Sequence, residues 1–466
     1  MQKFISIVVT LCLLHVSTSK AGIFISTNGY AYFAPTVQSE LQLTGVLAAD
    51  GGSDFIIELE PNGAVSNFFS NPEPIYPPSG LSNVTAISVS GYAALALTSN
   101  GTVAGWGFSY GSPTPPPPPA AQVPAGLSNV VAISAGEESS LALLDNGTVA
   151  SWGNNASVPA GLSNVVAIDA GQGNLALRAN GTVIAWGGAY SPPVGLTNVI
   201  AISYGRYGNL ALLANGTLIG WSASGAQTNL VSANVTNTVA ISGDPDAFMA
   251  LQADGAVVTG GTPPLLSFAE ALSNVVSIGR IELGTAIVVE GNGLASFPLQ
   301  PRNQIVGQGG TIYLHARAVG PQPLSYQWQL NGTNLPGATD GDLIITNATS
   351  ANAGNYQAVV GFNLDDTPYW AGSAPAAITV QPPPPAPILL TAPVLQPDGS
   401  LTVSANEPGG GSFPLTNSSL FVLQASSDLL NWTSLTNNMT LTNGAIAFSD
   451  PVAVSSPARY YRLVGP

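Results

Sequence analysis

Gly161-Leu162-Ser163-Asn164-Val165-Val166-Ala167-Ile168-Asp169-Ala170-Gly171, followed by Leu175-Ala176-Leu177 and Asn180-Gly181-Thr182-Val183-Ile184-Ala185-Trp186-Gly187, is one copy of a unit that recurs along the first two thirds of the chain. Its isoleucine returns as Ile87, Ile133, Ile168, Ile202, Ile241 and Ile278, spaced 46, 35, 34, 39 and 37 residues apart. A repeat of this length is one supersecondary unit that cannot bury its own apolar face, so the copies must stack into a solenoid or close into a ring. Each copy carries three apolar runs. The first, as in Val130-Val131-Ala132-Ile133, is continuous and suits a strand buried on both faces. The second, as in Leu141-Ala142-Leu143-Leu144, is similar, and the third ends on an aromatic residue at Phe68, Trp106, Trp152, Trp186 and Trp221 but not at Thr259-Gly260.

Between the second and third runs stands Asn62-Gly63, Asn100-Gly101, Asn146-Gly147, Asn180-Gly181, Asn215-Gly216, Asp254-Gly255 or Asn292-Gly293. Such a pair between apolar runs predicts a hairpin with a type I′ turn, because that turn needs positive φ at both central positions. Seven hairpins, each after its own inner run, predict seven blades. A further hairpin, Ile23 to Phe33, lacks an inner run. Its second arm, Tyr30 to Phe33, is expected to close the last blade, whose own third run (Leu294 to Phe297) is short; eight blades is the alternative.

The first residues read as a secretory signal. Lys3 gives a positive start, Ile5 to Val16 is an apolar segment too short to span a bilayer, and Ser19-Lys20-Ala21 fits a small-x-small cleavage site. Residues 1–21 are therefore expected to be a signal peptide and the protein to be secreted or at the cell surface, without membrane insertion after cleavage. The mature chain then loses Cys12, Lys3, Lys20 and His15. It keeps His315 as its one histidine and has seven arginines against 24 acidic residues. No lysine means no Schiff base and no P-loop, and no cysteine means no thiolate nucleophile or zinc knuckle. The acidic balance opposes nucleic acid, which needs clustered Lys and Arg. Only 7% of residues are charged, against ~25% in ordinary soluble domains, so the surface must be built from Thr, Ser and Asn.

Ala135-Gly136-Glu137-Glu138-Ser139-Ser140-Leu141-Ala142-Leu143, Asp145-Asn146-Gly147-Thr148-Val149 and Trp152-Gly153 together resemble the regulator-of-chromosome-condensation repeat family, which are seven-bladed β-propellers. The resemblance runs over roughly residues 40–297, although Ser139 stands where the family usually has histidine. The Val158 to Leu162 linker looks closest to secreted bacterial members, including β-lactamase-inhibitor propellers. Beyond the repeats, residues 299–381 resemble an immunoglobulin-type sandwich: Trp328 matches the core tryptophan, Tyr356 the tyrosine corner, and Ala316 and Ala358 stand where that family places its disulfide. Alternation points His315 at solvent. Residues 382–387 form a polyproline linker, a spacer of ~3 Å per residue, and 388–466 resemble a small terminal β-sandwich module of exported proteins. The expected organisation is all-β: signal 1–21, propeller 22–298, immunoglobulin-like domain 299–381, linker 382–387 and terminal sandwich 388–466.

No catalytic, cofactor-binding or metal site is expected. Asp50-Gly51-Gly52-Ser53-Asp54 and Asp244-Pro245-Asp246 lack the dense oxygen spacing of a calcium loop and read as solvated turn acids. The useful signal is variation in a fixed frame. Immediately after the inner run, each copy reaches a loop whose residues differ: Tyr92, Glu137-Glu138, Gln172, Arg206-Tyr207, Asp244 and Asp246, Arg280 and Glu282. In a ring these fall on one rim, and Tyr and Arg are enriched at binding hot spots. The expectation is a monomeric, non-enzymatic binder of an extracellular protein or glycan. The alternatives are a polysaccharide-active enzyme with sandwich anchors and an inhibitor of a secreted enzyme.

Overall fold

The structure, a computed structural model, describes residues 22–27, 39–44, 48–51, 55–60, 62–69, 76–91, 93–107, 118–154, 157–205, 208–222, 227–229, 237–244, 247–261, 274–279, 285–290, 294–364 and 366–382. In the last part it describes 389–390, 394–397, 401–406, 422–427, 431–435, 439–442, 445–448, 450 and 459–464. The chain forms two compact units, Met1–Pro382 and Pro383–Pro466. It is all-β, and the described residues contain no α-helix.

Six copies of the repeat fold into small antiparallel sheets whose strands follow chain order. The first is Ala48–Gly51, Phe55–Leu59 and Val65–Phe69; the second Val84–Ser90, Ala93–Thr98 and Val103–Gly107; the third Val130–Ser134, Ser139–Leu144 and Val149–Gly153. The fourth is Val165–Ala170, Asn174–Arg178 and Val183–Trp186. The fifth is Val199–Tyr204, Asn209–Leu213 and Leu218–Trp221, with Gln227–Asn229 beside the last. The sixth is Thr238–Asp244, Ala247–Gln252 and Val257–Gly261. Successive sheets pack face to face. Between the fourth and fifth, Leu175 and Leu177 meet Val199, Ile202 and Ala211, with Trp221 closing the cluster. Burying each such aliphatic side chain stabilises by roughly 1.5–3 kcal/mol.

The inner strand reads as a continuous apolar run for two reasons. It is covered on both faces, and in the second to seventh sheets the register shifts near its start, as between Val165 and Ala167 or Val199 and Ala201. A bulge of this kind adds one residue and breaks the alternation of in and out.

The hairpin turns differ from the expected type. At Thr98 to Thr102 the Gly101 N–H donates to Thr98 O, the Thr98 N–H to Thr102 O, and only Gly101 has positive φ. This is a three-residue loop with glycine in the left-handed region rather than a two-residue I′ turn. The reason is the side chain. Asn100 Oδ1 accepts the Thr102 N–H, and Asn62, Asn146, Asn180, Asn215 and Asp254 do the same two residues on. The asparagines that do adopt positive φ are Asn83, Asn129, Asn164, Asn198, Asn237 and Asn274, each just before an inner strand. There the backbone turns to place Asn83 O against Ser99 N–H and Gly63 O against Val84 N–H; the same bond ties the turns at Gly101, Gly147 and Gly255 to the copies that follow them.

The seventh sheet departs further from expectation. Thr285–Glu290 pairs with Val275–Ile278 on one side and with Gly22–Thr27 on the other, and Ser39–Thr44 follows. The arm beside Thr285–Glu290 is thus Ile23 to Ile25; Tyr30 to Phe33 lie outside the described residues. Ser296–Leu299, the next described strand, pairs with Arg317–Val319, while Asn292 and Gly293 lie outside the described residues. The strand at Thr285–Glu290 also lies against Ala48–Gly51 of the first sheet.

A second tie runs between inner strands. The Asp50 carboxylate accepts the Val89 N–H (2.7 Å), Ser88 Oγ the Ala135 N–H (3.0 Å), and Ser134 Oγ the Ala170 N–H (3.0 Å). Asp169 then accepts the Tyr204 N–H (2.7 Å), Ser203 Oγ the Gly243 N–H (3.1 Å), and the Ser242 hydroxyl donates to Gly279 O. One polar side chain per sheet reaches the inner strand of the next, and each is buried. Asp50 is only 1% exposed, which corrects its reading as a solvated turn acid.

The rest of the first unit is a β-sandwich. Gln304–Gly307, Ala376–Gln381, Gly354–Leu364, Ser325–Leu330 and Thr333–Asn334 form one sheet in that order, with Thr367–Gly372 on Gly354–Leu364; Ile312–His315 pairs with Asp342–Ile345 across the core. Trp328, Ala316 and Ala358 are fully buried together, and the Tyr356 hydroxyl donates to Asn352 O (2.9 Å). Because Ser296–Leu299 pairs into this sandwich, the expected boundary after residue 298 falls inside a strand. His315 does not simply face solvent. It is half-buried, with Nδ1 2.8 Å from Asp342 Oδ1, and Arg317 holds both oxygens of the same carboxylate (2.6 and 3.0 Å). Burial alone would raise the Asp342 pKa, but these two partners hold it down at about 2.

Among the described residues the second unit contains two small sheets, Leu389–Leu390, Leu401–Asn406, Ala445–Phe448 and Met439–Thr442 in one, with Val394–Leu395 also paired to Leu401–Asn406, and Thr433–Ser434, Val422–Ser426 and Tyr460–Val464 in the other. Buried Asp450 joins Arg459 (2.7 Å) and accepts from the Tyr461 hydroxyl, whose pKa rises to about 12 through burial and that negative neighbour.

Candidate functional site

Every inner strand starts at an Asn-Gly turn edge and ends at the opposite edge, in the loop leading to the second strand. A five-residue strand separates the two edges by roughly 17 Å. The described candidates Glu137, Glu138, Gln172 and Asp244 lie on the far edge from the turns, and the structure joins Gln172 to Glu137. Gln172 Nε2 donates to Glu137 Oε2 (3.0 Å), joining the loops of the third and fourth sheets, while Asn154 Nδ2 donates to Glu138 Oε2 (2.9 Å). The loop backbones also meet: Glu138 N–H donates to Gly171 O. A Cβ on Gly91, in the second sheet's loop, would stand 3.2 Å from Glu137 Cγ. The loops of the second, third and fourth sheets thus form one continuous edge.

Glu137 is exposed and Glu138 and Gln172 are half-buried, so the edge presents two carboxylates whose positions are fixed by neutral amides. Asp244 closes the strand Thr238–Asp244, opposite Ala247. Tyr92, Arg206, Tyr207, Asp246, Arg280 and Glu282 lie outside the described residues. Among the described residues no three His, Cys, Asp or Glu gather to hold a metal.

The turn edge is differently occupied. Arg317, held by Asp342, donates through Nη2 to Ala214 O of the fifth sheet (2.8 Å). Gly320 N–H and Gln322 Nε2 both donate to Ala253 O of the sixth (3.0 and 2.8 Å). Beside these bonds Asn164, Arg178 and Asn180 of the fourth sheet face Gln304, Thr311 and Tyr313 across a cleft of about 390 Å³. The sandwich therefore covers the turn edge over the fourth to sixth sheets. The sequence carries a signal for the aspartate and serine ties between inner strands: the residue after the recurring isoleucine is Ser88, Ser134, Asp169, Ser203 or Ser242.

Residues 130–157, which form the third sheet and its flanks, match the family described as "Regulator of chromosome condensation (RCC1) repeat". No curated protein matches the chain. Among solved structures, the chain is similar to titin domains Z1Z2 in complex with telethonin, at 18% identity over 33% of this chain and 79% of that one, with a TM-score of 0.20. It is also similar to the N-terminal Ig1-2 module of the Drosophila receptor protein tyrosine phosphatase DLAR (16% identity, 37% and 90% covered, TM-score 0.16). A third likeness is to the I-band fragment I67–I69 from titin (10%, 47% and 87%, TM-score 0.22).

Proposed function

We propose that the seven sheets close into a seven-bladed propeller, sealed by Gly22–Thr27 in the last blade, and that the protein is an exported, non-enzymatic binder. It engages an extracellular protein or glycan through the loop edge, as a monomer. The observation that supports this best is the inequality of the two edges. The turn edge is stitched copy to copy by backbone hydrogen bonds and partly covered by the sandwich. On the loop edge Glu137 is exposed, and the sequence there varies inside a fixed frame, which is where rigid scaffolds place recognition. A contact of ~800 Å² per partner fits across several adjacent loops.

The experiment uses the full chain immobilised against the native secretome and a glycan panel. Changing Arg206 and Tyr207 together to alanine is expected to abolish partner binding while leaving Tm unchanged. Glu137→Ala with Gln172→Ala should weaken the same binding, because the third and fourth loops act as one surface. Binding that survives both pairs would place the contact away from these loops.

A further inference from the structure

Trp370 is the most exposed tryptophan among the described residues, at 69%, yet it stands inside a regular strand, Thr367–Gly372. Its position follows from Gly361 opposite it on the neighbouring strand: a Cβ there would come within 2.7 Å of the indole edge. Glycine lets the indole lie close over the sheet surface. The register then extends the face inward from the edge strand, Trp370 to Gly361 to Ser325, with Val359 beside Gln327 in the next row and Gln357 beside Gln329 in the one after. Core residues Trp328 and Val360 point the other way, into the sandwich.

Around the indole this face is made of carboxamides. Gln327 Nε2 donates to Trp328 O and Leu335 O (both 2.8 Å), and Gln329 Nε2 donates to Asn334 Oδ1 (2.9 Å). With the nitrogens anchored, the two Oε1 atoms remain as acceptors with fixed direction. Together with Ser325, Asn334, Val359 and Trp370 they line an open groove of about 500 Å³, and no charged side chain contributes to it. That volume lies within the 300–1,000 Å³ usual for ligand sites.

We propose that this groove is a binding platform for a neutral polysaccharide. A pyranose ring lays its C–H face on the Trp370 indole, and its hydroxyls donate to the Oε1 atoms of Gln327 and Gln329. The chemistry selects this class of ligand. An uncharged aromatic surface flanked by pre-oriented acceptors matches a molecule with one apolar face and a rim of hydroxyl donors, and offers nothing to pair with a carboxylate or a basic peptide. The platform is separate from the loop edge and does not depend on it.

The test is affinity electrophoresis of the full chain in gels containing laminarin, xyloglucan or soluble starch, with alginate as the anionic control. At least one neutral polymer should retard the chain, to the same extent at low and high salt, and alginate should not. Trp370→Ala is expected to weaken retardation about tenfold with Tm unchanged, since the side chain is largely in solvent, and Trp370→Phe to restore part of it. The Arg206→Ala, Tyr207→Ala variant should bind the polymer normally, which separates failure of the platform from failure of the loop edge. The proposal is overturned if no neutral polymer retards the chain, if Trp370→Ala binds like the parent, or if alginate is preferred.

Discussion

Trp328→Ala is expected to destabilise the sandwich by about 3–5 kcal/mol, the usual cost of emptying a tryptophan site in a core. The side chain is fully buried beside Ala316, Tyr356 and Ala358, and its Nε1–H donates to Asp340 O (2.9 Å). A sandwich of this kind with a disulfide between its sheets would have ~2–4 kcal/mol in reserve; alanines at 316 and 358 leave none. The sandwich also carries the bonds from Arg317, Gly320 and Gln322 to the fifth and sixth sheets. Its loss should therefore be visible beyond its own core, as increased hydrogen exchange at Ala214 and Ala253. Denaturant unfolding monitored by tryptophan fluorescence reads the first effect. A midpoint within experimental error of the parent's would contradict it.

Asp169→Ala is expected to cost about 3 kcal/mol, because it removes a buried acceptor and leaves its donors unsatisfied. Asp169 receives the Tyr204 N–H at 2.7 Å and the Ser134 hydroxyl at 3.3 Å, so a single carboxylate connects the third, fourth and fifth sheets. Asp169→Asn keeps an acceptor of the same shape and should cost about 1 kcal/mol. The comparison of the two variants isolates the tie from mere packing. If both cost the same, the ties between inner strands contribute nothing specific, and the sheets are held by apolar contacts alone.

The division between what can be read in the sequence and what cannot has physical causes. The sheets, their order and the buried tryptophans are legible because apolar runs and glycine turns act locally. The turn type is not, since Asn100 and its equivalents have two uses for one side chain, and the hydrogen bond to the N–H two residues on prevails over positive φ. The pairing of Ile23 to Ile25 with Ile287 to Val289 joins residues more than half the chain apart, and no local pattern distinguishes it from pairing by Tyr30 to Phe33. The role of the tie residues is not legible, because an aspartate such as Asp50 has the composition of a surface turn until the next sheet covers it. Of the candidate edge, the spacing of repeats places Glu137, Glu138 and Gln172 in the loops after their inner strands, but not the hydrogen bond that joins Gln172 to Glu137. Trp370 gives no signal in sequence. A tryptophan in a strand reads as core, and only Gly361 on the partner strand shows that it lies on the outer face.

The most direct measurement concerns the seam. A ring with a defined loop edge exists only if Gly22–Thr27 lies against Thr285–Glu290, with Phe24 opposite Val288 and Ile25 opposite Ile287. Directly opposed residues in such a pair have Cα atoms ~4.5–5.5 Å apart, within the range a disulfide spans. The chain has one native cysteine, Cys12, which is replaced by serine in the test. Phe24→Cys with Val288→Cys, and separately Ile25→Cys with Ile287→Cys, cover both kinds of cross-strand pair. At least one is predicted to oxidise within the monomer, giving faster migration without reductant and ~3–5 kcal/mol of added stability from the long enclosed loop. Free thiols in both variants, or disulfides only between chains, would contradict the closed propeller and the loop edge that depends on it.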